Sequence, residues 1–105
     1  FLQINIGDDP QKYGFSSQNI YSAAKEIQAY QHLHVEGLMT ILPHIKDTKK
    51  IRVLYSKTRQ VKDKIQAQIF PSCQYLSMGM SNDYINALQE GATHIRLGTI
   101  LYGQR

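Results

Sequence analysis

The chain predicts an α/β fold in which parallel strands alternate with helices, and three observations carry that prediction. Short β-prone runs alternate with helix-period runs along all 105 residues, the order of successive βαβ units with right-handed crossovers. Residues 35–42, Val-Glu-Gly-Leu-Met-Thr-Ile-Leu, are apolar at most positions, as in a strand covered on both faces. The last two strand-like runs each end in small and hydroxyl-bearing residues, Ser77-Met78-Gly79-Met80-Ser81 and Gly98-Thr99. Two architectures satisfy the alternation: an open doubly wound sheet, or part of a (βα)8 barrel. A whole barrel needs roughly 200–250 residues, so the chain would supply about half of one. Periodicity does not choose between them.

Taken in order, Phe1-Leu2-Gln3-Ile4-Asn5-Ile6 alternates apolar and polar residues as a strand does, and Gly7-Asp8-Asp9-Pro10 breaks it. Ser16 or Ser17 is an N-cap for a helix over 17–31, where Ile20, Ala23, Ala24, Ile27 and Leu33 follow helical spacing. The strand over 35–42 stops at Pro43. Asp47 or Thr48 caps the next helix, whose apolar face is Ile51, Leu54, Tyr55, Thr58, Val61, Ile65 and Ile69. Pro71-Ser72 ends it. Residues 74–77 form a short strand that enters the Ser-Met-Gly-Met-Ser turn. Ser81 caps a short helix carrying Tyr84, Ile85 and Leu88, with Gly91 at its C′ position. Residues 93–97 are the last clear strand, and the apolar residues 99–102 start a closing segment.

A hydrophobic share of 42% with 19% charged residues excludes a disordered chain, and residues 1–105 are expected to form a single domain. No apolar run approaches the roughly 18 residues of a membrane span, and no export leader is visible. The start at Phe1, already inside a strand-like run, is read as a fragment. A lone Cys73 has no disulfide partner within the chain, which fits a reducing cytoplasm. Eight of the twelve basic residues fall between Lys46 and Lys64, interrupted by Asp47 and Asp63. No stacking array of aromatics interleaves them and no nucleic-acid motif occurs, so they read as the solvated face of a helix.

The chemistry-bearing residues gather at the two strand ends. In the 77–81 turn, Gly79 lets backbone approach a ligand, Ser77 and Ser81 offer hydroxyls, and the following helix start points its positive end the same way. The alternative is a capped βα loop that binds nothing. Gly98 and Thr99 offer backbone N–H groups and another hydroxyl at the end of a strand, where barrel ligands sit. Arg96 faces either inward, where it needs a ligand or carboxylate, or outward to solvent. His32 and His34 share one side of an extended run without a third metal ligand nearby, and His44 and His94 are isolated. Cys73 lacks a paired base and reads as packing. Met39, Met78 and Met80 are core or pocket lining, and the seven tyrosines show no stacking array.

Residues 76–83 (Leu-Ser-Met-Gly-Met-Ser-Asn-Asp), 90–99 (Glu-Gly-Ala-Thr-His-Ile-Arg-Leu-Gly-Thr) and 102–105 (Tyr-Gly-Gln-Arg) closely resemble the pyridoxal phosphate homeostasis proteins, the YggS/PROSC type with an alanine racemase-like N-terminal domain. Residues 3–6, 12–15 and 36–41 agree, so the resemblance spans essentially all 105 residues and corresponds to the C-terminal half of that family's chain. It implies fold type III, a (βα)8 TIM barrel, with pyridoxal 5′-phosphate (PLP) as cofactor. By resemblance Ser77, Gly98 and Thr99 hold the phosphate, Arg96 faces the pyridine nitrogen, and Met78, Met80 and Ser81 line the same corner. The family's Schiff-base lysine lies in the N-terminal half, and no lysine here occupies that motif. The resemblance also implies a cytoplasmic carrier or regulator without strong catalysis, monomeric when complete, with PLP-dependent apoenzymes as recipients and neither nucleic acid nor membrane as partner. A fragment of a type III racemase or decarboxylase is the alternative.

Overall fold

The computed structural model describes residues 1–7, 14–30, 32–42, 45–80 and 82–96. Its elements are β1 (Leu2–Asn5), β2 (Phe15–Ser16), α1 (Ile20–Gln28), β3 (Gly37–Met39), α2 (Thr48–Gln68), β4 (Tyr75–Ser77) and α3 (Tyr84–Gln89). All strand pairs are parallel, in the sheet order β2-β1-β3-β4. A further parallel bridge, Ser77↔His94, adds the segment after α3 beyond β4. From β1 through β3 and β4 to His94, the sheet therefore advances in one direction, in chain order. The order alone, with β2 outside β1, also occurs in doubly wound sheets, but those carry helices on both faces. Here α1, α2 and α3 bury their apolar residues in one cluster on one face, the arrangement of a barrel arc.

Register explains the core. Leu2, Leu38 and Leu76 lie in one row across β1, β3 and β4, and Gln3, Met39 and Ser77 in the next. Neighbouring residues on parallel strands share a face, so the rows face opposite ways. The face of Ile4, Ile6, Leu38, Leu76 and Met78 packs against Ile20 and Ala24 of α1 and the apolar face of α2, as one cluster. Each of the seven face residues expected on α2, Ile51 through Ile69, is buried. The helix starts where Asp47 caps it, accepting from the Lys49 N–H at 3.0 Å. It ends where the Gln28 side-chain amide takes the carbonyl of Ile69 at 2.8 Å, an orphan acceptor at a helix C-terminus.

Several local expectations shift. β2 inserts into the strand–helix alternation and pairs with the outer edge of β1, Ile4 with Phe15 and Asn5 with Ser16. The first helix is Ile20–Gln28 rather than 17–31; Asn19 is its N-cap, and the Ser16 hydroxyl accepts from the Asn19 N–H at 3.0 Å. The run 35–42 forms a ladder only over Gly37–Met39, although Val35, Thr40 and Leu42 are buried beside it. On α3 the apolar Ile85 (57%) and Leu88 (49%) are exposed, and Ala87 is the buried residue. Gly91 follows α3 with φ +97°, as its C′ role requires. The break over 8–10, the stop at Pro43, His44 and the closing segment over 99–102 lie outside the described residues. No helix among the described residues is long and apolar enough to cross a membrane.

Candidate functional site

The face of the sheet turned away from the helices carries the row Gln3, Met39, Ser77 and His94. Alternation along the last segment brings Arg96 to that face as well. β4 runs out of Ser77 into Met78 and then Gly79, whose φ of +109° is a left-handed conformation that favours glycine. A Cβ on Gly79 would stand 2.8 Å from the Ala87 Cβ and 3.1 Å from Ile95, so the turn is pressed against both α3 and the last segment. The two strand ends are joined by backbone. Met78 N–H donates to the His94 carbonyl, and Arg96 N–H donates to the Gly79 carbonyl, both at 3.0 Å.

Ser77 and Arg96, forecast as partners, are thus brought to neighbouring strand ends on one face. Among the described residues, no hydrogen bond engages the Ser77 hydroxyl or the Gly79 N–H, and Arg96 has no acidic partner. Met80 is 42% exposed beside them, whereas the Met78 side chain points to the helix side and is part of the core. Ser81, Gly98 and Thr99 lie outside the described residues.

Three residues beyond the forecast shape the site. Asp83 is nearly buried and its carboxylate accepts from the Met80 N–H at 2.8 Å, while its own N–H donates to the Met80 carbonyl at 3.1 Å. The Tyr55 phenol on α2 faces the same carboxylate. Burial, and then that carboxylate, push the Tyr55 phenol far above its ordinary value of 10.0, so it stays a donor at any physiological pH. Thr93 clamps the strand start: its hydroxyl accepts from the Leu76 N–H at 2.8 Å and meets the Leu76 carbonyl at 3.1 Å. A signal for Asp83 was present, an acid three residues after Met80 at capping-box spacing.

His94 is not isolated. Its ring stands edge-on to Phe1 and Tyr75 at 5.5 and 5.6 Å, those two stack at 6.3 Å, and its Nδ1 lies 2.9 Å from the Thr93 hydroxyl. These rings form a floor at the N-terminal strand ends, on the face of Ser77. Cys73 is buried, and burial pushes its thiol up to about 11, so it packs rather than attacks. His32 and His34 are exposed, and no group of three metal-ligating side chains occurs among the described residues. The basic residues of α2 lie mostly at its solvent-facing positions: Arg52 reaches Glu90 at 3.4 Å, Lys62 reaches Asp63 at 2.7 Å, and the Lys64 ammonium sits 4.4 Å over the Tyr21 ring. The pairing and solvation match a wet helix face, and no stacking platform accompanies it.

Comparison with known proteins bears on the same residues. The model of the family described as "Alanine racemase, N-terminal domain" matches residues 1–105. The pyridoxal phosphate homeostasis protein of Aquifex aeolicus is 34% identical over 104 residues, covering 99% of this chain and 46% of its own. That of a Synechocystis species is 36% identical, covering 99% and 48%. The chain spans about half the length of the curated relatives it matches. PipY of Synechococcus elongatus, solved with PLP bound, superposes with a TM-score of 0.82 at 30% identity, over 97% of this chain and 47% of that one. The same protein without PLP gives 0.88 at 34% identity, over 97% and 48%. Matched from first residue to last, the chain belongs to the alanine racemase N-terminal domain family.

Proposed function

We propose that the protein binds pyridoxal 5′-phosphate and serves intracellular PLP homeostasis, holding the cofactor and handing it on. The observation that carries this reading is the pair of backbone bonds, Met78 to His94 and Arg96 to Gly79, that set Ser77 and Arg96 on one face at neighbouring strand ends. A solved relative with PLP bound and relatives named for PLP homeostasis supply the ligand class. The donor set fits it. The Ser77 hydroxyl and Gly79 N–H, unengaged among the described residues, suit phosphate oxygens, with Ser81, Gly98 and Thr99 completing the cradle and Met80 lining its corner, while Met78 packs in the core behind it. Arg96 caps the pyridine nitrogen.

When bound, the cofactor supplies an aldehyde for amines and a ring that can take up electrons. Arg96 limits the second property. A guanidinium stays protonated at ordinary pH, so it donates to the ring nitrogen and disfavours a protonated ring. An unprotonated ring is the poorer electron sink, which suits a carrier more than a fast catalyst. These residues form the C-terminal part of a longer barrel whose N-terminal half brings the covalent lysine. The complete protein acts in the cytoplasm as a monomer, with PLP-dependent apoenzymes as recipients.

The test is PLP affinity of the complete protein by absorbance titration. Ser77→Ala and Arg96→Ala are each expected to weaken it about tenfold. Unchanged affinity in both variants would overturn the assignment.

A further inference from the structure

We propose that Asp83 is a positioning residue for phosphate recognition: its buried carboxylate, bonded to the Met80 N–H, holds the 77–80 turn in the shape that presents Ser77 and Gly79 to the ligand. The inference rests on the PLP reading above and deepens it.

The geometry of Asp83 is unlike that of an ordinary cap. It stands at the N-cap position of α3, yet its side chain makes no cap bond to that helix. The acceptor reaches backward instead, to the Met80 N–H at 2.8 Å, and the Asp83 N–H returns to the Met80 carbonyl at 3.1 Å. This reciprocal pair joins Met80 to Asp83 as half of a capping box does, with Met80 in the cap position. At 8% exposure the carboxylate is costly to bury without partners, and it accepts from the Met80 N–H. Tyr55, 1% exposed on α2, faces that carboxylate from the core.

The consequence for the ligand is specific. The Met80 N–H is already committed and is not a phosphate donor. Fixing Met80 from one side and Gly79 O from the other, by Arg96 N–H at 3.0 Å, leaves Gly79 no freedom to leave its φ of +109°. The Gly79 N–H and the Ser77 hydroxyl are then held as ready-made donors. Ordering them beforehand removes a cost that would otherwise fall on binding.

The experiment compares the affinity of the complete protein for PLP and for pyridoxal, which has the same ring and aldehyde but no phosphate. Asp83→Ala should weaken PLP about tenfold and leave pyridoxal within about twofold. Asp83→Asn keeps an acceptor for the Met80 N–H and should stay within about threefold of the parent for both ligands. Tyr55→Phe should lower PLP affinity about threefold without moving pyridoxal, and carries the test should Asp83→Ala fail to fold. Equal weakening of both ligands, or an Asn variant as impaired as the Ala variant, would overturn the positioning role. Loss of PLP in Ser77→Ala with none in Asp83→Ala would sink the brace and leave the PLP reading standing. No loss in Ser77→Ala and Arg96→Ala would sink the reading itself.

Discussion

Leu76 and Ser77 are neighbours on β4, and they belong to different regions of the molecule. Leu76 is 1% exposed in a row with Leu2 and Leu38, under the helices. Ser77 is half-buried in a row with Gln3, Met39 and His94, on the face the helices do not cover. The first face is a closed apolar cluster, and on the second the Ser77 hydroxyl has no hydrogen-bond partner among the described residues. The difference shows how this chain separates two tasks: the helix side supplies stability, and the other side is left free to hold a ligand. Substitutions on the two faces should therefore rank oppositely in their effects on folding and on binding.

The largest expected effect on folding is at the centre of the closed face. Leu38→Ala and Leu76→Ala should each cost about 2–5 kcal/mol, because a close-packed cluster leaves a cavity when a side chain is cut back. Chemical denaturation of the complete protein would measure it, and PLP affinity of the folded fraction should be unchanged. A loss below 1 kcal/mol would mean the helix side is not the stabilising one.

Gly79→Ala tests the place where the faces meet. A Cβ there would sit 2.8 Å from the Ala87 Cβ, on a backbone with φ +109°. The cost should be about 1–3 kcal/mol, with weaker PLP binding as well, since one turn serves both faces. Thermal unfolding and absorbance titration on the same samples would show whether the two losses travel together.

The comparison also explains what could be read from the sequence. α2 was legible because six of the seven face positions recur within its 21 residues, and the periodic signal accumulates. α3 was not. Six residues make fewer than two turns, and Ala87 is the buried position because Gly79 packs on it, a contact local pattern does not encode. β2 is two residues long and exists through the edge of β1, so no period could announce it. Barrel arc versus doubly wound sheet depends on whether the helices share one face of the sheet, a long-range fact. At the site, glycine and hydroxyls flagged the 77–81 turn. Asp83 escaped because its carboxylate turns backward, and Tyr55 because its hydroxyl is invisible in a count of apolar positions.

A smaller effect is expected where the closed face carries a polar group. The buried Thr40 hydroxyl donates to the Ile4 carbonyl at 2.8 Å, tying β3 to β1 from the helix side. Thr40→Val keeps the shape and removes the donor, so about 1 kcal/mol should be lost in chemical denaturation, with PLP affinity intact. A change in affinity would show that the two faces communicate through the β1–β3 pair.

The smallest effect on folding is expected at Ser77, and it makes the sharpest contrast. Among the described residues its hydroxyl has no partner to lose, and its neighbours on the row, Met39 and His94, do not pack it into the core. Ser77→Ala should therefore leave the unfolding free energy within about 0.5 kcal/mol of the parent. The same substitution removes a donor from the proposed phosphate cradle, where binding affinity, not folding, registers its absence. Placed beside Leu76→Ala, one residue away, it should invert the order: large on folding and nil on binding for the leucine, nil on folding and large on binding for the serine. If Ser77→Ala destabilises the protein as much as Leu76→Ala does, the open face is part of the core and the separation of tasks fails.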